Sequence, residues 1–153
     1  MMGDTRTLRG AGARLLPSEV VCMTEDAIAR MKQDAFAKHL GIELIEAGAG
    51  TAKVQMAIGD EHRNSVGMVH GGVIYTLADY AFAVACNSHG VPAVAVQCSI
   101  SYFRPPQGAV LTAEASEVSL TRRLGTYSVH VTDTDGDLVA LFQGMAFRKA
   151  EGS

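Results

Sequence analysis

Between His70 and His89 the chain carries a single formal charge, Asp79, inside a run that is otherwise apolar or small. Val73, Leu77, Tyr80, Ala81 and Val84 fall on one helical stripe, and Ile74, Ala78, Ala81 and Ala85 on the stripe beside it. A helix apolar almost all round has no wet face, so in a soluble chain other structure must wrap it. Gly71-Gly72 is poor helix interior but suits a helix start, where backbone N–H groups point forward without partners. Asn87, Ser88 and Gly90, with Pro92 beyond, mark the end of a helix over residues 71–88.

A lone carboxylate in such a helix is expensive, because an unpaired charge taken out of water costs several kcal/mol. Asp79 has no charged neighbour on the helix with which to share a solvated stripe. A bond to a nearby loop would account for it; a functional carboxylate accounts for it better.

With 153 residues, 48% of them hydrophobic, the chain is one domain with ample core. A net charge of −3 and a pI near 5.9 speak against nucleic acid as the main partner. Cys22, Cys86 and Cys98 have no metal-ligand spacing and read as reduced thiols of a cytoplasmic protein. The N-terminus has no secretory pattern. The 71–88 run is long enough to cross a bilayer, but its central Asp, its two glycines and the alternating strands after it argue against a span.

Residues 1–22 read as a flexible tail and 23–150 as the single domain. Thr24 is a candidate N-cap, with Glu25 and Asp26 favourable in the first turn of one helix over residues 24–39 that stops at Gly41. Residues 42–47 and 51–58 read as strands about a Gly48-Ala49-Gly50 turn, and 59–69 as a polar loop feeding the central helix. In that loop His62 reads as solvent-exposed. Four strand-like runs follow, over 93–104, 110–120, 125–133 and 138–149, the last two joined at Asp135-Gly136. The expected class is α+β: an antiparallel sheet curled around one long central helix, with an extra N-terminal helix.

A helix start at Gly71-Gly72 offers N–H donors and the positive end of the dipole to a carbonyl or oxyanion. Asp79 lies eight residues further on, ~12 Å along the axis at ~1.5 Å per residue. A base and an oxyanion donor must both reach one reacting group, so one helix cannot supply both. If both act, the site needs two copies of the helix, related by a two-fold axis in a homodimer.

The pattern is specific enough to resemble a family. Asn64 stands six residues before His70-Gly71-Gly72. Leu77-Ala78-Asp79, Phe82-Ala83 and Cys86-Asn87-Ser88-His89-Gly90 follow, then Ala93-Val94-Ala95, Ile100, Phe103-Arg104-Pro105, Leu111-Thr112-Ala113, Gly125, Tyr127 and Val139-Ala140-Leu141-Phe142. In order and spacing, over residues 30–149, this resembles the PaaI-type thioesterases of phenylacetate catabolism, which are hotdog-fold acyl-CoA hydrolases.

The resemblance implies that Asp79, lent by the partner subunit, is the nucleophile or the general base for water. The Gly71 N–H would polarise the thioester carbonyl, Asn64 would place the water or acyl group, and His70 would support the donor. As alternatives, Asn64 is a turn residue and His70 a loop anchor. Val69 and Gly72 beside the donor, and Gly125, count with the substrate contacts. Tyr75, Tyr80 and Phe82 line an aryl-sized acyl pocket or simply pack in the core. Arg122 or Arg123, adjacent and so pointing opposite ways on a strand edge, would meet the CoA phosphates, unless both are solvated turn charges. One departure is Ala95, where some relatives carry a hydroxyl. No metal or other cofactor is implied, CoA being part of the substrate, and the homodimer is expected to pair into a homotetramer. Competing readings are a hotdog enoyl-CoA hydratase or dehydratase, for which the His70 and Asp79 spacing is unfavourable, and a non-catalytic acyl-CoA sensor.

Overall fold

A computed structural model describes residues 23–149; the expected tail over 1–22 and Cys22 lie outside the described residues. The elements are α1 (Glu25–Met31), α2 (Ala35–His39), β1 (Ile42–Gly48), β2 (Thr51–Ala57), a single 3-10 turn (Asp60–His62), α3 (Gly71–Asn87), β3 (Ala93–Tyr102), β4 (Val110–Leu120), β5 (Leu124–Thr132) and β6 (Leu138–Arg148). All strand pairs are antiparallel, in the order β1-β2-β4-β5-β6-β3.

The sheet closes on α3 through inward positions that are buried and apolar on β2, β4, β5 and β6. Val54 and Met56 of β2, Leu111, Ala113 and Ala115 of β4, Tyr127, Val129 and Val131 of β5, and Ala140, Phe142 and Ala146 of β6 are all buried. They meet Ile74, Leu77, Ala78, Ala81, Phe82, Val84 and Ala85 of the helix. At Gly144 an added Cβ would stand 2.8 Å from the Phe82 ring, so only glycine leaves room for that side chain. Phe82 also packs on Tyr127 and Phe142, with ring centroids 5.6 and 5.7 Å away.

The single N-terminal helix expected over 24–39 is two. Thr24 caps the first as expected, its Oγ1 accepting from Ala27 N at 3.2 Å. Asp34 then starts a second, its Oδ1 accepting from Ala37 N at 2.8 Å. A short side chain that bonds its own backbone competes with a continuing helix, and here it wins. The break is tied down: the Met31 carbonyl accepts from Asp34 N and from the Tyr80 hydroxyl of α3, the latter at 2.9 Å.

The far end of α3 is fixed by Ser88, which is fully buried. Its Oγ accepts from Gly50 N and donates to the Ala85 carbonyl, both at 2.7 Å. Ser88→Ala would leave the Gly50 N–H buried without an acceptor, a loss of about 1–3 kcal/mol. Urea unfolding should show the unfolding free energy lowered by that amount, read as a lower midpoint at unchanged m, with turnover per folded molecule retained.

Candidate active site

Residues 58–70 lead into α3 as a tightly held loop. His62, read from sequence as exposed, is 2% exposed. Its Nδ1 accepts from Gly59 N at 2.9 Å, so the proton sits on Nε2 and is donated to the Leu40 carbonyl at 3.0 Å. The His62 carbonyl in turn accepts from His70 N at 2.8 Å. Asn64 closes the loop from within. Its Oδ1 accepts from Val66 N and Met68 N at 3.1 and 3.0 Å, which leaves the amide Nδ2 as its only free hydrogen-bonding end.

His70 is the N-cap of α3, and its Nδ1 accepts from Gly72 N at 2.8 Å. A Cβ on Gly72 would lie 3.0 Å from that nitrogen, so the second glycine lets the imidazole approach. The His70 carbonyl takes Val73 N and Ile74 N. Of the donors in the first turn, the Gly71 N–H alone meets no acceptor among the described residues. It stands at the positive end of a 17-residue helix.

A cleft of about 390 Å³ opens there, lined by Asn64, Met68, Val69, Gly71, Ile74 and the β3–β4 segment from Tyr102 to Pro106. That segment is braced from behind. Arg104 pairs with Asp133 and Asp137 at 3.0 and 2.7 Å, and the Asp133 carboxylate also accepts from Gln107 N at 3.1 Å. Burial pushes the Asp133 carboxyl up, but the N–H groups of Gln107, Asp137 and Asp135 and the Arg104 guanidinium outweigh it and hold it below the ordinary carboxylate range.

Asp79 is elsewhere. It is half-buried on the flank of α3 and has no hydrogen-bond partner among the described residues. Burial, and the nearby Asp34 charge, push its carboxyl above the ordinary value. Around it stand Tyr75 and Cys86 of α3 and Cys98 of the edge strand β3. Burial pushes the Tyr75 phenol and the Cys86 thiol up to about 12, and raises Cys98 as well. Neither thiol is a thiolate at neutral pH, so neither is poised to attack a thioester.

The structure thus gathers Asn64, Val69 and Gly71 at one cleft, holds Gly72 to His70, and sets Asp79 beside Tyr75 on another face. Phe82, 1% exposed, belongs to the core rather than to a pocket wall, and Tyr80, 6% exposed, is tied to α1. Arg122 and Arg123 are exposed on the β4–β5 turn and are not part of the cleft's lining. Gly125 is buried, and a Cβ there would meet the Tyr127 ring at 2.8 Å, a packing reason for glycine. Sequence reasoning missed Tyr102, whose hydroxyl donates to the Gly71 carbonyl at 2.9 Å. Its position at the end of a strand just before Pro105-Pro106 was the only available signal. Among the described residues no three His, Cys, Asp or Glu side chains gather as metal ligands would, and no helix is long and apolar enough to cross a membrane.

Residues 66–140 match the Thioesterase superfamily. The acyl-coenzyme A thioesterase PaaI of Escherichia coli is 39% identical over 125 residues, 81% of this chain and 89% of that one. The E. coli PaaI structure superposes with a TM-score of 0.77 at 38% identity, covering 81% of this chain and 91% of that chain. A mutant form of the phenylacetic acid degradation protein PaaI from Thermus thermophilus gives 0.72 at 45% identity, covering 76% and 100%. A hypothetical thioesterase protein of Streptococcus pneumoniae, solved with coenzyme A, gives 0.75 at 25% identity, covering 83% and 100%. A central helix wrapped by a six-stranded antiparallel sheet, with that degree of likeness along four-fifths of its length, places the chain among the hotdog-fold acyl-CoA thioesterases of the PaaI type.

Proposed function

We propose that this chain hydrolyses an aryl acyl-CoA of the phenylacetyl type, or a medium-chain acyl-CoA, at a site shared by two copies. The observation that carries the reading is a separation. The Gly71 N–H and the Asp79 carboxylate, each without a partner among the described residues, lie ~12 Å apart on one helix. Each is half of a hydrolytic site, and a two-fold axis brings complementary halves together.

The edge strand β3 supports such pairing. Its ten residues, Ala93–Tyr102, include no charge and no proline, and Val94 and Val96 are more than half exposed. Natural edges are usually blunted by such residues, so a bare edge of this length suits a second copy added strand to strand. On the outer face of the sheet Val94 and Leu124 both register with Phe147, an apolar patch that supports the pairing of dimers into tetramers.

In the shared site the thioester carbonyl accepts from Gly71 N–H, and Asn64, whose free end is a donor, bonds the same oxygen or the attacking water. Asp79 of the other copy takes a proton from that water as its oxygen attacks the carbonyl carbon. The C–S bond then breaks, and the departing CoA sulfur recovers the proton from the Asp79 carboxyl. No step calls on a metal. A carboxyl raised by burial is a stronger base than an exposed one. One of Arg122 and Arg123 is proposed to meet the phosphates of the nucleotide, and the likeness to a thioesterase protein that holds coenzyme A supports a CoA ester as ligand.

The test is a panel of aryl and alkyl acyl-CoA esters with a thiol reagent. Thiol release is the expected result, and the ratio of kcat/KM between phenylacetyl-type and medium-chain esters assigns the acyl group. Binding without thiol release would mean a sensor, and a change in enoyl absorbance without thiol release a hydratase; either outcome removes the reading.

A further inference from the structure

The Gly71 N–H belongs to a glycine, the residue with the least intrinsic control of its own backbone, yet an oxyanion donor must be aimed to within fractions of an ångström. The structure shows how the aim is kept. The peptide before Gly71 is held through its carbonyl, that of His70, by Val73 N at 3.0 Å and Ile74 N at 3.3 Å. The peptide after Gly71 is gripped at both ends: its N–H, on Gly72, by His70 Nδ1 at 2.8 Å, and its carbonyl, on Gly71, by the Tyr102 hydroxyl at 2.9 Å. The Tyr102 ring also lies along the glycine, its Cζ 3.4 Å from where a Cβ would stand.

We infer that Tyr102 is a positioning residue for thioester hydrolysis: its hydroxyl and ring fix the peptide after Gly71, and so limit the rotation about the glycine Cα that would turn the N–H of the preceding peptide away from the substrate carbonyl. The inference rests on the proposed role of Gly71. Tyr102 comes from the end of β3, 31 residues along the chain, so the clamp ties the helix start to the sheet rather than to its own loop. Burial keeps the phenol protonated well beyond neutral pH, so it stays a donor wherever the enzyme works. Tyr102 is half exposed, and its hydroxyl is not part of the buried core. Its removal therefore leaves the fold intact and frees the glycine.

The experiment compares wild type with Tyr102→Phe, which keeps the ring, and Tyr102→Ala, which loses both contacts. For Tyr102→Phe the expected result is a fall in kcat of ~10-fold with KM within about two-fold and Tm unchanged. That is below the ~10²–10³ that loss of an oxyanion donor costs, because the donor is loosened and not removed. Tyr102→Ala should lose more. The second readout is the infrared carbonyl stretch of a bound ketone analogue in which a methylene replaces the thioester sulfur. Wild type should shift it to lower frequency, and Tyr102→Phe should shift it less and broaden it. A full shift in Tyr102→Phe, or a raised KM with kcat intact, overturns the positioning role. No shift in wild type overturns instead the role of Gly71, whatever the Tyr102 variants do.

Discussion

Asp79→Asn and Asp79→Ala should each lose at least ~10² in kcat on the best acyl-CoA while folding normally. The loss should fall on kcat and kcat/KM alike, because the carboxylate acts on water in the transition state and does not hold the ester. Unchanged turnover in either variant would remove Asp79 from the reaction. Its surroundings set three accompanying results. Burial and the Asp34 charge make the protonated form of Asp79 easier to keep in the folded state than in the unfolded chain. The folded protein therefore binds more protons than the unfolded chain in the window between the ordinary and the raised value. Across that window the Asp79 contribution to stability is lost as pH rises. At neutral pH the charge is a burden, and Asp79→Asn should have a Tm at or above that of wild type while being inactive. In the pH profile of wild-type kcat/KM the acid limb should fall at a pH above the usual carboxylate range. Asp34→Asn keeps the cap on α2, since an amide oxygen can accept from Ala37 N, and removes the neighbouring charge. Its acid limb should move to lower pH.

The elements that sequence reveals are those whose side chains repeat with the backbone period. Helix α3, expected over 71–88, runs Gly71–Asn87, and β4, expected over 110–120, runs Val110–Leu120. Tyr127, Val129 and Val131 are buried and their neighbours are not, as a strand half in the core demands. What the sequence hides depends on partners far along the chain. Asp34 can sit in an exposed helix or cap a new one, and the bond it makes to Ala37 N, with Tyr80 holding the Met31 carbonyl, decides for the break. His62 is buried because the Leu40 carbonyl is waiting 22 residues away. Phe82 belongs to the core because Gly144 leaves a hole of its shape on another strand. At the site the same division holds. Asp79 stands out as a charge in an apolar helix and Gly71 as a glycine at a helix start, but Tyr102 has only its place at a strand end before two prolines. Its importance comes from the crossing of β3 and α3.

Two inactive chains should make an active enzyme when mixed. Gly71→Val puts branched carbons where the carbonyl must reach the N–H; its Cβ itself is tolerable, at 3.4 Å from the Tyr102 ring. A homodimer of such chains keeps both Asp79 carboxylates and has no usable donor. A homodimer of Asp79→Ala chains keeps both donors and has no base. In the mixed dimer one site combines the intact Gly71 of one chain with the intact Asp79 of the other, and the second site carries both lesions. Purified mixed dimers should therefore show about half the wild-type kcat per dimer, and a statistical one-to-one mixture refolded together about a quarter. Wild-type KM should return with it, since the rebuilt site is chemically whole. About 12 Å of helix lies between the two groups, more than any side-chain rotation spans. If the mixture stays inactive although tagged chains show that mixed dimers have formed, donor and base act within one chain. The loop from residue 58 to 70 would then have to carry Gly71 far from where the bonds of His62 and His70 now hold it.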